Sequence, residues 1–147
     1  MAAGGLVRET EGNASARAGE LIAVSPSSLP YETLQPEDVC LVTPDGRLVD
    51  GPKPSVELPM HLAVYAARPD VRAVVHTHSP RATASPPCPV ASGVSGSVEL
   101  GAAVVAAAGS GNAVVMREHG PVCFGGDLAE ALARAFELEA RAGPKRP

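Results

Sequence analysis

The histidine pair in His76-Thr77-His78 is the feature of this sequence that most directly indicates chemistry. It follows an apolar run, and residues 73–78 together predict a β-strand. Because side chains alternate along a strand, both imidazoles are expected on one face, with Thr77 on the other. Two such imidazoles can bind one divalent ion, and imidazole suits zinc. The strand leads into Ser79-Pro80, which predicts that the pair lies at a sheet edge near a loop. The alternative to a metal site is two partly exposed histidines at a strand end.

A third histidine would strengthen the metal interpretation, and the sequence offers two. His119 lies in Glu118-His119-Gly120, after a predicted strand and before a glycine that permits an unusual backbone turn. His61 lies inside a predicted helix, where a structural role is the better interpretation. His119 is therefore favoured, and three histidines would leave one coordination position open, which is typical of catalytic zinc.

Acidic and hydroxyl side chains accompany these histidines. Glu118 and Glu57 are the candidate carboxylates, and Glu57 lies at a predicted helix start, where the helix dipole favours a negative charge. A plain first-turn acid is the ordinary alternative for Glu57. Small donors near turns can bind a phosphate, although such residues are also ordinary in turns; they are Asn13, Ser15, Ser27, Ser28 and Ser55. A nucleophile formed by Cys123 and His119 is a further option, but nothing in the sequence indicates a lowered thiol pKa.

The elements that would position these residues alternate between strands and helices after a start made of strands. Fifteen glycines and fifteen prolines divide the chain into short segments. The pattern predicts strands over 21–25, 39–43, 47–49, 73–78, 113–116 and 121–124. It predicts helices over 55–67, with Ser55 as N-cap, over 97–108 and over 127–141, and a loop over 79–96. This alternation indicates an α/β protein with a mixed sheet.

Composition excludes several classes of protein. The 147 residues fit one domain, and 45% hydrophobic with 19% charged residues favours a packed core. A net charge of −4 is atypical of a general nucleic-acid binder or of a protein that binds anionic membranes. No apolar stretch is long enough to span a bilayer, and the N-terminus lacks the apolar segment of a signal peptide. A cytoplasmic location is therefore expected.

Five motifs occur in an order that resembles the class II aldolase/adducin family: 11–17, 25–31, 53–57, 76–80 and 118–120. The resemblance covers residues 6–141 and implies a single domain over 1–147, with 142–147 as a frayed tail. It implies a three-layer α/β/α fold with a mostly antiparallel central sheet, and a homotetramer with active sites between subunits. It further implies zinc, or another divalent metal, held by three histidines, with Glu57 as acid–base group. The ligands would be His76, His78 and His119, and the substrate phosphate would bind Asn13, Ser27, Ser28 and Ser55.

The function that this resemblance implies is that of a zinc-dependent lyase of the aldolase type. Such an enzyme cleaves a C–C bond in a sugar phosphate, L-fuculose 1-phosphate or similar, through a metal-stabilised enediolate. Glutamate at position 57 is similar to the aldolases, whereas epimerases of the family tend to carry aspartate there. A 4-epimerase, a dehydratase or a decarboxylase on the same site remains an alternative. A non-catalytic adducin-like assembly domain, or a degenerate product, is the alternative of a different class.

Compared with the family, the chain is shorter at its start and, by roughly two dozen residues, between His78 and His119. The missing internal stretch ordinarily supplies a helix, part of the subunit contact and, in fuculose-phosphate aldolase, a tyrosine thought to donate a proton. The tyrosines of this chain, Tyr31 and Tyr65, lie elsewhere. In addition, Val56 stands where a second phosphate-binding serine is common. We therefore expect a chain that binds zinc but has low aldolase activity and weak or absent tetramer formation.

Overall fold

A computed structural model describes residues 1–142, which form an eight-stranded sheet and four α-helices. The strands are β1 (Asn13–Ala18), β2 (Leu21–Val24), β3 (Cys40–Val42), β4 (Leu48–Asp50), β5 (Ala73–His76), β6 (Val90–Ala91), β7 (Ala113–Met116) and β8 (Gly120–Gly125). The helices are α1 (Leu58–Ala67), α2 (Pro80–Ala84), α3 (Val98–Ala108) and α4 (Leu128–Arg141). The tail over 142–147 is expected to be frayed, and its residues 143–147 lie outside the described part of the chain.

The strands are ordered β4-β3-β2-β1-β5-β8-β7-β6, and every pair is antiparallel except β6 with β7. The expectation of a mostly antiparallel mixed sheet is therefore confirmed. Strand β5 lies in the interior, where His76 is opposite Asn13 of β1 on one side and Val122 of β8 on the other. The histidine pair thus lies at the end of a central strand, and its expected place at a sheet edge is wrong.

Helices cover both faces of the sheet, because the strands bury apolar side chains on both. Val74 belongs to a core cluster that contains residues of α1 and α3, whereas Ala73 and Val75 belong to a second cluster that contains residues of α4. This alternation follows from the two-residue period of a strand. The layers are α1 with α3, the sheet, and α4 with α2, which agrees with the expected α/β/α fold. Within residues 1–142, no helix combines the length and the apolarity needed to cross a bilayer.

Several predicted boundaries differ from the structure near the histidines. Strand β5 ends at His76 instead of residue 78, because the amide of His78 bonds to the carbonyl of Leu6 in the N-terminal segment. Helix α1 begins at Leu58, and Glu57, not Ser55, occupies its N-cap position. Ser55 instead accepts a hydrogen bond from the Glu57 amide, 3.3 Å from its Oγ.

The sequence pattern does not predict the secondary structure of two segments. Strand β1 has the sequence Asn-Ala-Ser-Ala-Arg-Ala, which lacks the β-branched and aromatic residues that favour strands. The predicted loop over 79–96 contains α2 and the two-residue strand β6. Pro80 begins α2, where its missing N–H has no intrahelical partner to lose. Short elements such as these give no detectable periodicity.

Candidate metal centre

Three histidines converge at the end of the central strand. His76 ends β5, His78 follows two residues later, and His119 lies in the turn between β7 and β8. One ring nitrogen from each lies within 4.8 Å of the others, and the ring centroids are 4.7–4.9 Å apart. The side chain of His76 is fully buried, whereas those of His78 and His119 are 27% and 22% exposed. The group could hold one metal ion and is accessible from one side.

Two glycines allow the chain to approach itself closely around this cluster. Gly120 has φ +154°, and a Cβ there would lie 2.0 Å from the carbonyl oxygen of Thr77. Gly12 has φ +72°, and its Cβ would lie 2.6 Å from the carbonyl oxygen of His76. Glu118 has φ +57°, which is rare for a residue with a side chain. The predicted unusual turn at Glu118-His119-Gly120 is therefore present, and it brings His119 to β5.

The hydrogen bonds of His76 leave it ready to bind a cation. Its Nδ1 lies 3.0 Å from the carbonyl oxygen of Pro121, which can only accept, so Nδ1 carries the proton. Burial lowers the pKa of His76 to about 3, and the ring is neutral. Its buried Nε2 therefore has a free lone pair, without a hydrogen-bond partner and 3.2 Å from Oε2 of Glu57. A lone pair facing a buried carboxylate is unfavourable unless a cation is close to both, so these residues fit a bound metal ion.

Glu57 places a buried carboxylate against the histidines. Its Oε2 accepts a hydrogen bond from Asn13 Nδ2 at 2.9 Å, and its Oε1 accepts one from Ser95 Oγ at 3.0 Å. Oε1 also lies 3.6 Å from Nε2 of His119. Burial raises the pKa of Glu57, but the hydrogen bonds from Asn13 and Ser95 favour the charged form, and the pKa lies below its ordinary value. The carboxylate is 4% exposed and is therefore not an ordinary solvated first-turn acid.

Ser95 and Glu11 approach the site without having been assigned to it from the sequence. Ser95 lies in the Ser- and Gly-rich segment over 79–96, where no periodicity distinguishes one serine from another. The Oε1 atom of Glu11 lies 3.8 Å from Nδ1 of His78. Glu11 belongs to the first of the five motifs, and this is the sequence signal that indicates a place near the site. Glu118, the other candidate carboxylate, is exposed.

Two cavities share His78 and His119 in their walls. The smaller cavity, of about 230 Å³, is lined by all four predicted phosphate-binding residues and by Glu57. Those four are Asn13, Ser27, Ser28 and Ser55. The larger, of about 490 Å³, is lined mainly by the N-terminal segment over 5–8, by α2 and by Glu118. The structure therefore brings the three candidate metal ligands, Glu57 and the four candidate phosphate-binding residues to one region.

The remaining histidine and the candidate nucleophile lie outside the cluster. His61 is fully buried in α1 and forms hydrogen bonds with Ser15 and Asn13, as the structural interpretation predicted. Cys123 is buried in β8, and burial raises the pKa of its thiol to about 12. A thiol with so high a pKa is not a nucleophile at neutral pH.

Both the sequence and the structure are similar to those of known proteins. The sequence matches the family described as Class II Aldolase and Adducin N-terminal domain over residues 1–88 and 86–143. The two matches meet at 86–88, within the stretch between His78 and His119 that is expected to be short. The structure is similar to that of an L-fuculose 1-phosphate aldolase, with a TM-score of 0.89, 26% identity, and coverage of 95% of this chain and 76% of that one.

Curated relatives include two aldolases. The chain is 48% identical over 85 residues to 5-deoxy-D-ribulose 1-phosphate aldolase of Bacillus thuringiensis serovar kurstaki, covering 56% of this chain and 40% of the relative. It is 33% identical over 155 positions to 5-methylthioribulose-1-phosphate/5-deoxyribulose-1-phosphate aldolase of Rhodospirillum rubrum, covering 92% of this chain and 70% of the relative. Because 155 positions exceed the 147 residues of this chain, the second relative has residues in the aligned region that this chain lacks. Further relatives are named as a methylthioribulose-1-phosphate dehydratase and an L-ribulose-5-phosphate 4-epimerase.

Proposed function

This chain belongs to the class II aldolase and adducin family, and we propose that it is a metal-dependent aldehyde-lyase that cleaves a ketose 1-phosphate. The observation that carries the proposal is the buried carboxylate of Glu57 beside three convergent imidazoles, in the wall of a cavity with serine hydroxyls. A carboxylate next to a metal centre can move a proton on a carbon atom whose acidity the metal increases.

His76, His78 and His119 would hold the ion, and zinc is the metal that three imidazoles with an open position favour. A bound ion supplies Lewis-acid chemistry, because it withdraws electron density from the ketone and hydroxyl oxygens of the substrate. The free Nε2 lone pair of His76 supports this assignment from the chain itself. The hydrogen bond from Nδ1 of His76 to Pro121 would orient that ligand.

Glu57 would act on C3 of the sugar phosphate. In the direction of aldol addition, its carboxylate takes a proton from C3 of dihydroxyacetone phosphate, and C3 then bonds to the carbonyl carbon of an aldehyde. The aldehyde oxygen gains a proton from water, and cleavage is the same sequence in reverse. Because no tyrosine hydroxyl from the shortened stretch supplies that second proton, we expect turnover to be low.

Serine hydroxyls would hold the phosphate in the smaller cavity. Ser55 Oγ already accepts from the Glu57 amide, so its own O–H is free to donate to a phosphate oxygen. The hydroxyl oxygens of Ser27 and Ser28 lie 3.3 Å apart, and both residues line the smaller cavity. Asn13 Nδ2 donates one of its two protons to Glu57, and the other can be donated to the substrate.

The substrate class is drawn from chemistry that the relatives share. The two aldolase relatives and the L-fuculose 1-phosphate aldolase are all named for ketose 1-phosphates. Cleavage between C3 and C4 of such a sugar gives dihydroxyacetone phosphate and an aldehyde. The proposal includes one domain over 1–147 with a core over 6–141 and a homo-oligomer that the short internal stretch weakens, both of which rest on the family resemblance. It also includes the cytoplasmic location that the sequence analysis predicts.

The test is product analysis with the metal-loaded protein. We would incubate it separately with 5-deoxy-D-ribulose 1-phosphate, L-fuculose 1-phosphate and L-ribulose 5-phosphate, and detect dihydroxyacetone phosphate with a coupled NADH assay. Metal-dependent formation of that product supports the proposal. Loss of water by mass spectrometry, or an epimer by NMR, would instead make the protein a dehydratase or a 4-epimerase. No product with any substrate or divalent metal would favour a non-catalytic assembly domain.

A further inference from the structure

A continuous chain of buried hydrogen bonds joins helix α1 and strand β1 to the candidate acid–base residue. Tyr65 Oη lies 2.8 Å from Ser15 Oγ, which lies 2.6 Å from His61 Nδ1. His61 Nε2 lies 2.5 Å from Asn13 Oδ1, and Asn13 Nδ2 lies 2.9 Å from Glu57 Oε2. None of the five side chains belongs to a residue more than 4% exposed. The chain is therefore almost completely buried, and it reaches the smaller cavity only at Asn13 and Glu57.

The secondary structure explains why these residues meet. Asn13 and Ser15 are two apart on β1 and share the sheet face toward α1. His61 and Tyr65 are four apart on α1 and share one helix face. Because α1 packs on the sheet, His61 reaches both Asn13 and Ser15, and Tyr65 reaches Ser15.

Each proton in this chain has one possible place. A carboxylate accepts, so Asn13 must present its Nδ2 to Glu57 and its Oδ1 to His61. Oδ1 also only accepts, so Nε2 of His61 carries the proton. Burial lowers the pKa of His61 to about 4, and the ring is neutral with a bare Nδ1. Ser15 therefore donates to Nδ1, and Tyr65 donates to Ser15.

We propose that His61 is a positioning residue, which fixes the amide of Asn13 so that Asn13 holds the Glu57 carboxylate beside the three histidines. Without the Nε2–H donor, the Asn13 amide could rotate, and its oxygen and nitrogen could exchange places. A carboxylate that loses this donor is free to turn away from the carbon on which it acts. The catalytic part of this inference rests on the proposed lyase function.

Two substitutions separate positioning from simple packing. In His61→Gln, the side-chain NH₂ group can take the place of Nε2–H and donate to Asn13. In His61→Leu, a side chain of similar size fills the same space without any donor. If His61 only fills space, leucine is the better replacement, whereas a positioning role makes glutamine the better one. Met60→Leu, at a buried α1 residue outside the chain of hydrogen bonds, is the matched control.

Steady-state kinetics gives the first measurement. We expect His61→Leu to lower kcat by about 10–100-fold, with KM and metal content unchanged, because outer partners of catalytic groups typically have effects of this size. His61→Gln and Met60→Leu should keep most of kcat. Equal losses in the leucine and glutamine variants, or a leucine variant as active as the wild type, would overturn the proposal.

NMR gives a second measurement that does not depend on activity. Long-range ¹H–¹⁵N spectra of the full chain, with and without zinc, should show His61 as the neutral Nε2–H tautomer at pH 7. The side-chain amide signals of Asn13 should stay in place in His61→Gln and move in His61→Leu. If the wild type cleaves no sugar phosphate, the proposed function fails, and these spectra still decide the positioning role. A protonated or Nδ1–H ring, or Asn13 signals that are the same in both variants, would overturn it.

Discussion

Replacing Glu57 by glutamine removes the candidate acid–base group while changing the shape of the site very little. Asn13 Nδ2 requires an acceptor at 2.9 Å, so the new side-chain oxygen would occupy the place of Oε2. The new NH₂ group would then lie where Oε1 is, 3.0 Å from Ser95 Oγ, which can reverse its role and accept. We therefore expect Glu57→Gln to fold.

The two effects of this substitution have different sizes. Each hydrogen bond to the carboxylate becomes one to a neutral amide, a loss of about 1 kcal/mol per bond and about 2 kcal/mol in all. For a domain of this size, that loss lowers Tm by several degrees, about 4–8 °C. Loss of the acid–base group should lower kcat by about 10²–10⁴-fold, which corresponds to about 3–5 kcal/mol in the barrier. Zinc should remain bound by the three histidines.

The assay combines kcat for release of dihydroxyacetone phosphate, zinc content by mass spectrometry, and Tm. Glu99→Gln is the matched control, because Glu99 is an exposed acid in the first turn of α3. It should leave all three quantities unchanged. If Glu57→Gln turns over at the wild-type rate with zinc bound, Glu57 has no part in the chemistry.

Three further predictions concern the phosphate, pH and the short internal stretch. Ser27→Ala and Ser55→Ala should each raise KM by about tenfold with kcat retained, because a hydrogen bond to a charged phosphate is lost; an unchanged KM in steady-state kinetics would contradict the phosphate assignment. In the metal-free protein, the pKa of His61 is lowered from about 6.5 to about 4, so the unfolded chain binds more protons between these values. His61 should therefore contribute up to about 3 kcal/mol to the fall in the free energy of unfolding as the pH is lowered from 6.5 to 4. Urea titrations should show a shallower fall in His61→Gln, and equal slopes would contradict a buried neutral ring. Finally, native mass spectrometry should find little tetramer, with turnover below the ordinary 1–10³ s⁻¹, and a stable tetramer with ordinary turnover would show that the short stretch is harmless.

The long periodic elements and the metal-ligand candidates could be predicted from the sequence. Helix α4 has a capping aspartate, Asp127, whose side chain accepts from the Glu130 amide. It buries Ala131, Ala135 and Leu138, whereas Leu128, which the spacing also assigns to the apolar face, is exposed. The histidine pair was predictable because it directly follows an apolar strand. His119 was predictable because glycine follows it, and Gly120 has the positive φ that the turn needs.

The contacts made by single side chains could not be predicted in this way. The hydrogen bond from Ser95 to Glu57 depends on the path of a segment without periodicity. The chain from Tyr65 to Glu57 depends on α1 packing over β1, and β1 itself has a composition that does not favour strands. His61 could be interpreted as structural, but its partners are set by the crossing of helix and sheet, which local sequence does not encode.

Metal stoichiometry in matched histidine variants tests the central claim most directly. The four histidines of the chain divide into three in the cluster and His61 outside it. The purified wild type and His61→Gln, stripped and titrated with zinc by calorimetry, should each bind one ion per chain. The variant in which His76, His78 and His119 are all replaced by alanine should bind none. A triple variant that still binds zinc one-to-one, or a folded wild type that binds no divalent metal, would contradict the account.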